Sequence, residues 1–106
     1  MSKTWYEKII DAHLAVTDQV SHAEFMKSER YFVWQEDGNN DLVAENMHVE
    51  KAVTGSTDLF TKTEFDLWKE EFEMALEIAG ISWRYNSFQY EEETGFYHHE
   101  WYWEVV

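Results

Sequence analysis

Residues 81–106 read ISWRYNSFQYEEETGFYHHEWYWEVV, and the fold turns on this stretch. ISWRYNSFQYE (81–91) and FYHHEWYWEVV (96–106) are rich in aromatic and β-branched residues, which suit a pleated, half-buried surface. EETG (92–95) separates them, and Gly95 can take the positive φ of a tight turn. The pattern predicts a β-hairpin. Alternation then sorts the last strand into two faces. Tyr97, His99, Trp101, Trp103 and Val105 share one, and Phe96, His98, Glu100, Tyr102 and Glu104 share the other. Trp101, Trp103 and Val105 are expected to face the helices, tying down a terminus that would otherwise fray. The second, joined by Phe88 and Tyr90 of the partner strand, is too aromatic for plain solvent exposure. Phe88, Tyr90, Phe96 and Tyr102 are therefore a candidate subunit interface, or else part of a two-sided core.

His98-His99-Glu100 invites a metal reading, and a metal-using enzyme could be imagined around it. Neighbours on a strand point to opposite faces, so the two imidazoles do not converge on one ion. His98 and Glu100 share a face, but two ligands do not define a zinc site. Histidines on a half-buried strand are the expectation, with no metal and no cofactor.

Upstream, Thr61 and Glu64 have capping-box spacing, with Thr63 as an alternative cap. Phe65, Trp68, Phe72, Ala75, Leu76 and Ala79 follow on one helical stripe, and Gly80 is placed to end it. A helix is expected over about 64–79. HVEKAVTGSTDLF (48–60) reads as a strand, with Gly55 a possible bulge, and ERYFVWQE (29–36) as another. DGNND (37–41) is a turn cluster, and 42–47 form a wide connection. Thr4 and Glu7 make a second capping box, followed by apolar residues at helical spacing, so a helix is expected over about 4–20. The sum is a single α+β domain, residues 1–106. Two helices pack on a mostly antiparallel sheet of about four strands, in the order α-β-β-α-β-β.

Charge is the strongest bulk signal. Among 106 residues, 22 acids oppose 8 Lys and Arg, a net −14. Such a chain binds bare nucleic acid or anionic lipid poorly. Beyond solubility, surplus acid can mimic DNA toward a basic partner, or line a surface that DNA must pass without sticking. Asp66, Glu70, Glu73 and Glu77 fall at i, i+4, i+7 and i+11, an acidic stripe on the second helix. Glu91, Glu92 and Glu93 cluster in the hairpin turn. No cysteine is present, so thiolate sites and disulfides are excluded. No apolar run is long enough to span a bilayer. Asp37 to Asp41 glances at a calcium loop, but the sixth and twelfth positions hold Leu42 and His48 where glycine and glutamate are needed. No nucleophile elbow or phosphate-binding glycine loop occurs, and nothing argues for an enzyme.

Residues 29–106 resemble the small tail-completion or tail-terminator (head–tail joining) proteins of long-tailed phages and prophages. The likeness rests on Gly55, Asp58, Phe60, Thr61, Lys62, Glu64 and Phe65, and on Tyr90, Glu91, Thr94, Gly95, His98, Trp101 and Trp103. It implies a structural protein without chemistry: a homo-oligomeric ring, often a hexamer, that caps the tail tube and meets the head connector. Its expected partners are its own copies, tail-tube and connector proteins, with DNA passing unbound and no membrane. Its expected place is the virion, or the bacterial host cytoplasm during assembly. Asp66, Glu70, Glu73, Glu77, Glu91, Glu92 and Glu93 are candidates for an acidic lumen. The alternative is an acidic DNA-mimic inhibitor of a host nucleic-acid-binding protein.

Overall fold

The terminal hairpin anchors one end of a five-stranded sheet. The computed structural model describes residues 3–39 and 52–106. Their elements are α1 (Trp5–Leu14), β1 (Val20–His22), β2 (Arg30–Asn39), β3 (Val53–Thr61), α2 (Trp68–Ile78), β4 (Ser82–Glu91) and β5 (Phe96–Val105). The sheet order is β1-β2-β3-β5-β4; only β1–β2 is parallel. The class is α+β, with one strand more than expected.

Both helices are shorter than expected, for identifiable reasons. The Thr4–Glu7 capping box forms: the Glu7 N–H donates to Thr4 Oγ1 (3.2 Å) and the Thr4 N–H donates to Glu7 Oε1 (3.0 Å). The helix stops at Leu14 rather than at 20. Val16 and Thr17 are β-branched, and Thr17 Oγ1 accepts the Gln19 N–H at 3.0 Å, turning the chain. Val20–His22, expected to lie at the helix end and beyond, instead pairs beside Phe32–Trp34 as β1. At α2 the Thr61 cap gives way to Asp66, whose Oδ1 accepts the Trp68 N–H at 2.9 Å. Thr61 is the last residue of β3, and Phe65 sits at φ +57°, outside any helix. Phe65 therefore leaves the expected stripe and is 87% exposed, while Phe72, Ala75 and Leu76 are buried. Gly80 (φ +72°) ends the helix as expected, and Gly95 (φ +78°) sits in the hairpin turn.

The main core lies between the helices and one sheet face. Phe32, Trp34, Leu59, Trp101 and Trp103 meet Ile9, Ala12, Phe72 and Leu76 there. Gly55 makes no bulge. It sits in register opposite Glu36 and Trp103, and a Cβ would strike the Trp103 ring and the Gln35 carbonyl. The irregularity lies instead in β2, between Glu36 and Asn39. Because β2 runs on to Asn39, the turn expected from 37 does not begin there. The expected features at 40–51, including the start of the 48–60 strand, lie outside the described residues.

A buried polar relay crosses the core. The Trp103 indole N–H donates to Thr57 Oγ1 (2.9 Å), and the Thr57 hydroxyl faces His13 Nε2 at 3.0 Å. His13 Nδ1 lies 2.7 Å from the Ile9 carbonyl, which can only accept, so Nδ1 carries the proton and Nε2 accepts from Thr57. All three side chains are at most 2% exposed. Burial pushes His13 down to about 4.

Candidate functional site

Among the described residues no helix packs on the second sheet face, which carries its own small cluster. Tyr31, Val33 and Phe60 are buried there, with Met26 and Phe96 packed on them. Beside them is a cleft of about 310 Å³ lined by Phe25, Tyr31, Phe60, Glu91, Phe96 and His98. His98 forms its polar wall. Its Nε2 lies 2.7 Å from Asp58 Oδ1 and its Nδ1 3.3 Å from Glu91 Oε2, and the ring stacks on Phe60 at 4.3 Å. Burial lowers its basicity, but the hydrogen bond its Nε2–H donates to Asp58 and the fields of Asp58, Glu91 and Glu100 outweigh this and hold it above the ordinary histidine value. With both ring nitrogens beside carboxylates, His98 ties β3, β5 and the end of β4 together as a polar strut.

His99 points the opposite way, as strand alternation requires, and the two histidines do not converge. Its Nδ1 lies 2.7 Å from the Tyr85 hydroxyl, and among the described residues its buried Nε2 has no partner. Burial, then the nearby Lys69, lower its pKa. Among the described residues, no group of three His, Asp or Glu side chains is arranged to hold a metal ion.

The four aromatic interface candidates do not share a face. β4 carries an extra residue relative to β5: Tyr85 pairs with Trp101, yet Ser87 pairs with Glu100. Both Asn86 Nδ2 (2.8 Å) and Ser87 Oγ (3.5 Å) reach Glu100 Oε1, so both point to the helix-free face. This bulge shifts the alternation by one residue. Phe88 and Tyr90 consequently pair with His99 and Tyr97 on the helix side, while Phe96 and Tyr102 stay on the helix-free side. Phe88 stacks near Tyr97 at 6.1 Å and Tyr90 near it at 4.8 Å. The signal was in the sequence: the aromatics Trp83, Tyr85, Phe88 and Tyr90 are spaced two, three, two.

The acidic stripe also dissolves on inspection. Asp66 is only 2% exposed and cannot line a lumen. It takes a forked ion pair from Arg30, and accepts from the Thr61 hydroxyl at 2.7 Å. Burial raises its pKa, but those bonds and the Trp68 N–H outweigh this and hold it below the usual carboxylate value. Arg30 in turn lies 3.8 Å over the Trp68 ring. Glu73 turns toward the core, accepting the Trp101 indole N–H (2.9 Å) beside Lys69 (3.1 Å). Glu77 accepts the Trp83 indole N–H at 3.0 Å. Glu91 holds the Thr94 hydroxyl and faces His98. Glu70, Glu77, Glu92 and Glu93 are the exposed members of the expected set, Glu77 while holding the Trp83 indole.

Sequence patterning missed a group of exposed apolar side chains. Phe65 (87%), Leu67 (69%), Met74 (63%) and Ile78 (81%) are exposed on and beside α2, and Leu14 is exposed on α1. Leu67, Met74 and Ile78 stand seven and four residues apart, a second apolar stripe visible once the helix start is moved to 68. On the opposite sheet face Phe25 (79%) is open beside Phe60. No family model and no curated protein matches the chain.

Proposed function

We propose that the chain is a structural ring subunit of the tail-terminator or tail-completion type. In this reading its copies close around the tail-tube and head-connector junction of a phage or prophage, during assembly in the host cytoplasm and in the virion. One observation carries the reading beyond the likeness of residues 29–106. The protomer exposes large apolar side chains in two unlike settings. Phe65, Leu67, Met74 and Ile78 stand out on and beside α2, whereas Phe25 stands out beside the cleft on the other sheet face. Isolated exposed hydrophobes are ordinary, but large groups of them mark contact sites. A head-to-tail ring requires two different patches on each subunit, which a knob and a cleft provide.

Net charge fits passage of DNA more than its capture. At −14 the protein repels phosphate. Glu70, Glu77, Glu92 and Glu93 are the members of the expected lumen set best placed to face a polyanion, since Asp66, Glu73 and Glu91 are engaged inside the protomer. Exposed acids also occur on α1 at Glu7 and Asp11 and in the loops at Asp18, Glu24 and Glu29. They surround the molecule rather than forming one stripe.

The test mixes the purified chain with a tail-tube protein and looks for rings by electron microscopy. Rings are expected with the native chain and absent with Phe65→Glu, with both chains equally folded by circular dichroism. Only monomer beside tube protein would overturn the reading. Capture of a nuclease from host lysate, in place of tube or connector protein, would favour the DNA-mimic alternative.

A further inference from the structure

β4 ends the sheet, and among the described residues nothing pairs with its outer edge. A ten-residue open edge is a template for another strand. Proteins usually blunt such an edge with lysine, proline, inward charge or a bulge, and the bulge is the one of these that β4 has. Here Ser82–Glu91 contains no lysine and no proline, and its single Arg84 and single Glu91 cancel. The edge is thus a neutral segment in a chain of net charge −14.

The bulge gives this edge a further property. Directly opposed residues in an antiparallel pair must share a face. On the helix side β4 presents Trp83, Tyr85, Phe88 and Tyr90; on the other it presents Ser82, Arg84, Asn86, Ser87, Gln89 and Glu91. Both sets read symmetrically about the point between Asn86 and Ser87. In a regular strand they would not, because Tyr85 and Phe88 would fall on opposite faces. A second β4, laid antiparallel about a twofold axis at that point, meets the first with every face matched. Trp83 then opposes Tyr90, Tyr85 opposes Phe88, Arg84 opposes Gln89, and Asn86 opposes Ser87. Arg84 also gains a diagonal neighbour of opposite charge in Glu91 of the second copy. Phe88 and Tyr90, about half exposed in the protomer, gain cross-strand aromatic partners.

We infer that β4 is a self-pairing edge, joining two copies of this chain into one continuous ten-stranded sheet across a twofold axis between Asn86 and Ser87. The contact is isologous, does not use Phe65 and meets the open-face cleft only at Glu91 on its rim, so it is distinct from the head-to-tail contact proposed above. Two copies at −14 repel, and salt screens that repulsion, so the dimer tightens as ionic strength rises.

Cysteine cross-linking reads the register directly, because the native chain has no cysteine. Asn86→Cys mixed with Ser87→Cys, and Arg84→Cys mixed with Gln89→Cys, are each expected to give a disulfide-linked dimer on mild oxidation. Ser82→Cys alone is expected to give none, since its two copies lie at opposite ends of the paired strands. By light scattering the native chain should pass from 12.8 kDa to twice that mass with concentration. Phe88→Lys should weaken that transition about tenfold while leaving the fold intact. Absence of the register-specific cross-links, or equal cross-linking by Ser82→Cys, overturns the inference. Rings formed with tube protein but without these cross-links would remove this contact and leave the ring reading standing. Cross-links without rings would do the reverse.

Discussion

Replacing Thr57 with valine separates hydrogen bonding from shape in the core. Valine nearly matches threonine in size but lacks the hydroxyl, which accepts from the Trp103 indole and donates to His13 Nε2. Both neighbours are at most 2% exposed, so no solvent replaces the lost partner. Two buried polar groups are left unsatisfied, at about 1–3 kcal/mol each. The valine methyl recovers part of this through apolar contact, so Thr57→Val is expected to cost about 3 kcal/mol. For a chain of this size that lowers Tm by roughly 10–20 °C. Thr57→Ser keeps the hydroxyl and is expected to lose only about 1 kcal/mol, for one buried methyl. Urea unfolding followed by tryptophan fluorescence measures both, and the slope m should not change. A Thr57→Val loss under about 0.5 kcal/mol, or a Thr57→Ser loss as large as the valine's, would refute the relay.

Other outcomes follow from the same geometry. His13 is neutral when folded down to about pH 4, whereas the unfolded chain takes up its proton below about 6.5. Its contribution is whole above 6.5 and is lost as pH falls from 6.5 to 4, roughly 3 kcal/mol in all, readable as a falling urea midpoint. His98 runs the other way: its pKa is raised, so its contribution is whole below about 6.5 and disappears as pH rises through the folded value. An NMR titration should find His98 protonating well before His13 as pH is lowered; the reverse order would contradict both assignments. Gly55→Ala forces a Cβ against the Trp103 ring and the Gln35 carbonyl, and should cost about 2–3 kcal/mol in thermal or urea unfolding. Asp66→Ala removes the Arg30 pair, the Thr61 bond and the Trp68 cap together, and should cost about 2–3 kcal/mol by the same measurement. If Asp66→Ala proved neutral, the carboxylate would not be organising the start of α2.

The hairpin was legible because a dense period-two pattern flanked a glycine turn, and those local signals agree with the tertiary structure. The helix cores were legible from Ile9 and from Phe72, Ala75 and Leu76 for the same reason. Helix ends were not, since competing side-chain bonds decided them: Thr17 with the Gln19 N–H, and Asp66 in place of Thr61. β1 is three residues long and exists only by pairing beside β2, a long-range event with no local signature. The faces of Phe88 and Tyr90 were misread because one inserted residue, Asn86, inverts everything after it. Acid spacing on α2 suggested a solvated stripe, but spacing does not reveal an arginine 36 residues away or the indole N–H groups waiting for acceptors. His98 and His99 were correctly separated by alternation alone, while the His98–Asp58 contact needed the β3–β5 pairing to appear.

Native mass spectrometry of the purified chain, alone and with tail-tube protein, bears most directly on the claim that copies of this protein clasp one another. The ring reading predicts that tube protein converts the free species into one discrete, closed multiple of the 12.8 kDa chain, larger than a dimer. A spectrum showing only the free species, unchanged by tube protein at any concentration, would contradict it.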